Sequence, residues 1–168
     1  MIGRPGGASA EAALRCKRRA AELEAKFIGI ERTRMAGVPV LHRGLRVQAL
    51  GFEPADEQAA IGVLLTPWFM NLLRFPLEAC ASRQGIGRTR SLLVGGEAFD
   101  FIGAFEPGFG AYGACSLFSP MFEFADQSAA VATARAVLEL VRTAPAPAKS
   151  AVPAARRAFL FGRPAQRA

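Results

Sequence analysis

Histidine occurs once in this chain, at position 42, and cysteine three times, at 16, 80 and 115. A single imidazole with no cysteine or carboxylate at ligand spacing does not assemble a zinc or nickel site. Ser–His–Asp and Cys–His catalysis would both depend on that same residue. The cysteines are odd in number and lack CxxC spacing, so they frame neither a disulfide scaffold nor a zinc site. They read as free, buried thiols in a reducing compartment. No glycine pattern forms a phosphate loop or a dinucleotide fingerprint; Gly85-Ile86-Gly87 and Gly95-Gly96 are chain breaks. Cys115 and Ser116 fall inside an expected strand, without the GxSxG turn that exposes a nucleophile. Paired carboxylates would have to come from Glu97 with Asp100 or Glu123 with Asp126, and neither pair has an apolar setting that raises a pKa. Nothing in the residues supports an enzyme, a metal or a cofactor.

A membrane span is missing too. The uncharged run from Gln58 to Leu73, QAAIGVLLTPWFMNLL, is broken at Thr66-Pro67 and falls short of the roughly 20 apolar residues a spanning helix needs. No apolar stretch follows the N-terminal charges, and Arg18-Arg19 leads into AAELEAK, unlike a twin-arginine export signal. The expected location is cytoplasmic.

What is present is a globular composition of 168 residues, 51% hydrophobic, with 13 phenylalanines among its aromatics. The net charge of +7 brings nucleic acid into consideration. Only Lys17, Lys26 and Lys149 are lysines, however, and an arginine excess beside abundant alanine and glycine also follows from a GC-rich coding sequence. The excess sits on the flanks, at Arg15, Lys17, Arg18 and Arg19 and in an acid-free stretch from Ala144 to Ala168. Basic tails of that kind attract acidic protein surfaces, phosphates or membranes.

The apolar periodicity predicts a helix over 9–30, with Cys16, Ala20, Leu23, Phe27 and Ile30 on its buried face and Arg15, Arg18, Arg19 and Glu22 solvated. Strands are expected from Leu45 to Phe52, with Leu45, Val47 and Ala49 on one face, and over 58–65, 68–75, 98–105 and 111–117. A weakly helical stretch covers 77–84. A second helix over 126–142 has Asp126 or Ser128 as its N-cap and Val131, Ala134, Leu138 and Val141 as its face. The expected fold class is α+β: an antiparallel sheet of about five strands with both helices packed on one face. Residues 1–8 form an N-terminal extension, 9–143 a single domain, 144–155 a Pro/Ala linker and 156–168 a basic apolar tail.

Two clusters resist a purely structural explanation. Pro67 ends its strand because it has no N–H to donate, which leaves Trp68, Phe69, Met70 and Asn71 at a chain reversal. The cluster either closes the core or binds something, since tryptophan favours both buried positions and interface hot spots. The tail Arg156-Arg157-Ala-Phe159-Leu-Phe161-Gly162-Arg163 lies beyond a linker. Each phenylalanine left in water forfeits roughly 1.5–3 kcal/mol of potential burial, so docking on the domain or on a partner is expected.

Four segments in order, Gly62–Asn71, Leu93–Glu97, Ala114–Pro120 and Arg156–Arg163, resemble the HybE/HupJ-type assembly chaperones of nickel–iron hydrogenases. With the N-terminal helix the resemblance covers about residues 10–163. It implies a non-enzymatic chaperone, without metal or nucleotide, acting in the cytoplasm during hydrogenase maturation. Its implied partners are the immature small subunit, which carries a twin-arginine signal, and the large subunit that it joins. Some relatives resemble fusions to an iron-binding rubredoxin module; this chain lacks the paired CxxC motifs, so no metal is carried over. The partner-binding residues expected on this reading are Thr66, Pro67, Trp68, Phe69, Met70 and Asn71, with Ser119 and Pro120, and the tail residues Arg156, Arg157, Phe159, Phe161, Gly162 and Arg163. The reading from charge alone is a basic nucleic-acid-binding module.

Overall fold

The computed structural model describes residues 9–143. In chain order the elements are α1 (Ala10–Arg32), β1 (Gln48–Pro54), β2 (Ala59–Leu65), β3 (Met70–Pro76), β4 (Thr89–Val94), β5 (Glu97–Glu106), β6 (Gly110–Phe118) and α2 (Gln127–Thr143). The strands form one antiparallel sheet in the order β1-β2-β3-β6-β5-β4. The fold class is α+β, as expected. The sheet has six strands rather than about five, because β4 lies between the glycines at 85, 87, 95 and 96 and exposes most of its length.

The helices pack on opposite faces of the sheet, not on one. In β2 every residue is buried, since alternate side chains enter two different cores. Ile61, Val63 and Leu65 join Leu72, Phe99, Phe101 and Leu117 beneath Ala134, Val137, Leu138 and Val141 of α2. Ala60 and Leu64 join Leu73, Phe75 and Phe109 beneath Cys16, Leu23, Phe27 and Ile30 of α1. An all-apolar strand carries no alternation, so its sequence reads as buried without revealing that both faces are covered.

Ser9 caps α1, its Oγ accepting from the Ala12 amide at 3.1 Å, and Asp126 caps α2 by accepting from Ala129 N at 2.9 Å. The buried stripe of α1 includes Arg19, which is 3% exposed rather than solvated. Its guanidinium lies 3.9 Å from the Phe109 ring centroid and donates to Phe109 O at 3.0 Å and to Glu22 at 2.8 Å. Three other boundaries differ from expectation. Strand β1 starts at Gln48, and Leu45 and Val47 before it enter opposite cores. Residues 77–84 form a loop without a helix. In strand β5 the first half pairs with β4 and the second half with β6.

Gly95, in the β4–β5 turn at φ +59, sits so close to the last turn of α2 that a Cβ there would lie 1.5 Å from Val141 O. Gly51 of β1 meets Leu138 and Arg142 of the same helix. Opposite ends of the sheet thus converge on one helix terminus.

Candidate functional site

At one end of the sheet the β2–β3 turn, the loop before β1 and the loop after β6 meet. Thr66 builds the turn. Its amide donates to Phe69 O at 2.8 Å, and its Oγ1 accepts from Trp68 N at 3.2 Å and from Phe69 N at 2.9 Å. The same hydroxyl donates to Phe69 O at 3.0 Å. A short polar side chain completing backbone bonds in this way is why threonine suits a tight reversal before proline. Thr66 is fully buried, and so is Met70, which points into the α2-side core. Pro67 is also buried. These three hold the turn from within and present no surface to a partner.

Trp68 and Phe69 are half-buried, between the interior and the surface. Their inner edges join the α1 core, where Trp68 stacks on Phe27 at 6.4 Å and 25° and Phe69 meets Phe27 edge-on at 5.9 Å. From Phe27 the ring contacts continue through Tyr112, Phe109 and Phe75 to Phe52. Offset and edge-on pairs of this kind add about 0.5–1.5 kcal/mol each beyond area burial. The outer edges of Trp68 and Phe69 remain accessible. Asn71 is half-buried between Leu64 and Ser116, and its Oδ1 has no hydrogen-bond partner among the described residues.

Ser119 joins this end, its Oγ donating to Trp68 O at 3.5 Å, and Ser119 and Pro120 are exposed. Sequence reasoning missed two neighbours. The amide of His42 donates to Pro67 O at 2.9 Å. Its Nδ1 accepts from Gly44 N at 3.0 Å, which leaves Nε2–H to donate to Phe124 O at 2.7 Å. Both ring nitrogens therefore serve the fold, as a tie between the two loops. The ring also stacks on Phe122 at 6.3 Å, and Phe122 is 57% exposed. A large aromatic left that open beside Trp68's turn is the sort of anchor an interface uses. Phe122 gave no signal in sequence because Met121, Phe122 and Phe124 are all apolar, and nothing local marks Met121 and Phe124 as the two that enter the core.

The expected tail residues, Arg156, Arg157, Phe159, Phe161, Gly162 and Arg163, lie outside the described residues. Among the described residues no group of three or more His, Cys, Asp or Glu side chains is placed to hold a metal. Cys16, Cys80 and Cys115 form no disulfide, and burial pushes the Cys16 thiol up, with Glu53 adding to the rise. No described helix is long and apolar enough to cross a membrane.

Tyr112, the chain's only tyrosine, reports on the aromatic row directly. Burial pushes its hydroxyl up to about 12; Glu106 adds to the rise and Arg34 opposes it. A raised folded-state value means that the unfolded chain ionises first. The stability from this group is complete below the ordinary value near 10 and lost as pH rises toward about 12. Phenolate absorbance followed against pH is expected to rise near 12 while the fold persists; a rise near 10 in folded protein would place Tyr112 in water.

A family model described as NiFe-hydrogenase assembly chaperone HybE matches residues 18–162. Protein HoxT of Cupriavidus necator is 49% identical over 159 residues, covering 86% of this chain and 89% of the relative. The hydrogenase expression/formation protein HupJ of Bradyrhizobium diazoefficiens is 37% identical, covering 76% of this chain and 78% of the relative. The solution structure of HybE from Escherichia coli superposes with a TM-score of 0.59 at 22% identity, covering 95% of both chains.

Proposed function

The chain belongs to the HybE family of nickel–iron hydrogenase assembly chaperones, which are not enzymes, and from that premise we propose that its client is the immature hydrogenase small subunit. The chaperone would hold this precursor in the cytoplasm until the large subunit is ready to join it, and so time twin-arginine export. The observation that carries the reading is the aromatic end of the sheet, where Trp68 and Phe69 keep an open edge on a fully bonded turn and Phe122 stands exposed in the loop after β6, stacked on the His42 that bonds to that turn. An unassembled subunit exposes apolar surface of its own, and a rigid aromatic patch covers such surface at low entropic cost. Beyond the linker at 144–155, Arg156, Arg157, Phe159, Phe161, Gly162 and Arg163 would close over the docked client, with Ser119 and Pro120 at the rim.

The subunit choice is tested by presenting the tagged full chain with each purified precursor separately. Capture of the small-subunit precursor, with weaker capture of the large subunit, is the expected result. Capture of the large subunit alone would reverse the assignment while leaving the family role intact.

A further inference from the structure

The two edges of the sheet are treated differently. Strand β1 is guarded: Glu24 of α1 accepts from Ala49 N at 2.7 Å, and Arg142 of α2 donates to Gly51 O at 2.7 Å. Gln127 both accepts from Arg46 N and donates to Arg46 O at the approach to the strand. A register shift between Leu50 and Glu53 and a terminal Pro54 spoil the edge further. Strand β4 has none of this. It pairs with β5 from Val94↔Glu97 to Thr89↔Ile102, around a two-residue turn. That register aims the amides and carbonyls of Arg90, Leu92 and Val94 at β5 and those of Thr89, Ser91 and Leu93 outward. No hydrogen bond reaches the outward groups among the described residues. The side chain of Leu93 is 70% exposed, and Ile102 of the next strand is 51% exposed on the face that α1 leaves bare.

We propose that the β4 edge takes up an extended, acidic peptide segment of a partner protein as a seventh strand. Backbone pairing would supply affinity, alternate apolar residues would lie beside Leu93, and carboxylates would meet Arg88 and Arg90. Both arginines are exposed and unpaired with any acid among the described residues, as is Arg83, whose guanidinium sits 4.3 Å from the Phe105 ring centroid. The nearby acids lie one strand in, where Asp100 accepts a hydrogen bond from Ser91 and Glu97 sits opposite Val94. The chain's own tail leaves α2 close to the β4–β5 turn, yet from Ala144 onward it holds five basic residues and no acid. A second copy would bring the same arginines to the seam. Charge therefore favours a foreign, acidic strand. This surface is independent of the Trp68 end and of which subunit is the client.

The test uses the full chain and two fluorescent ten-residue peptides, one alternating valine with glutamate and one alternating valine with lysine. The glutamate peptide is expected to bind and to protect the Thr89, Ser91 and Leu93 amides from hydrogen exchange. Ser91→Pro removes one outward N–H without touching the β5 ladder and should weaken binding about tenfold, whereas Ser91→Ala, which keeps that N–H, should not. Arg88→Glu with Arg90→Glu should weaken it similarly. Failure of the glutamate peptide to bind, equal binding of the lysine peptide, or full binding by a folded Ser91→Pro variant would overturn the proposal. So would protection of those amides in the chain alone, which would assign the edge to a second copy if concentration-dependent and to the tail if not.

Discussion

Replacing Arg19 with methionine is expected to lower the free energy of unfolding by about 3 kcal/mol, because a carbonyl loses its donor and a ring loses its cation. Methionine keeps most of the apolar stem, so the loss reports the guanidinium and not a cavity. Phe109 O would be left in the core without its 3.0 Å partner, and the Phe109 ring without the charge 3.9 Å from its centroid. An unsatisfied buried acceptor costs about 1–3 kcal/mol and a desolvated cation–π contact adds up to about 2. Glu22 is half in water and recovers solvation, so the ion pair itself contributes little. Arg15→Met is the control, since that residue pairs with two exposed acids and should cost under about 0.5 kcal/mol. Urea unfolding of the two variants measures both; equal and small losses would mean Arg19 is solvated after all.

Arg19 also marks where sequence reading stops. The stripe of α1 runs through 12, 16, 19, 23, 27 and 30, and position 19 fits it better than Ala20 does. The expected stripe passed through Ala20 instead, which put Arg19 off it and in water. What reverses that inference is a partner 90 residues away, the Phe109 carbonyl in the β5–β6 turn, which no local pattern announces. The same limit hid the faces of the sheet. The helices and β5 were legible because their apolar residues repeat at the period of each element, and β2, β3 and β6 because Pro67, Pro76 and Pro120 end their apolar runs. Which core each face enters depends on strand order, and that is set by pairings distant in sequence. Strand β4 stayed hidden because glycines flank it and Leu92-Leu93-Val94 shows no alternation, although only Leu92 and Val94 pack against the α2-side core.

At the site, the turn from Thr66 to Asn71 was legible from Pro67 and the lone tryptophan. Its division was not: Thr66, Pro67 and Met70 are interior, whereas Trp68, Phe69 and Asn71 are half-buried. Phe122 and His42 join them through one backbone bond and one ring stack, contacts with no sequence signature.

The aromatic end is the part of the account that function depends on. Phe122→Asp is the sharpest variant, since more than half of that side chain is exposed and, among the described residues, its one ring partner is His42. The fold should therefore keep its melting temperature. A hot-spot aromatic replaced by a carboxylate typically costs an interface about 2 kcal/mol or more, roughly thirtyfold in Kd. Trp68→Ala should weaken binding as well, but its stack on Phe27 also holds the core, so a stability loss of about 2 kcal/mol will accompany it. The direct measurement is titration of purified small-subunit precursor into the full chain and into Phe122→Asp, with melting curves for both. The account predicts equal melting temperatures and about thirtyfold weaker binding by the variant. Equal affinity in two equally stable proteins would contradict it and move the client surface elsewhere on the molecule.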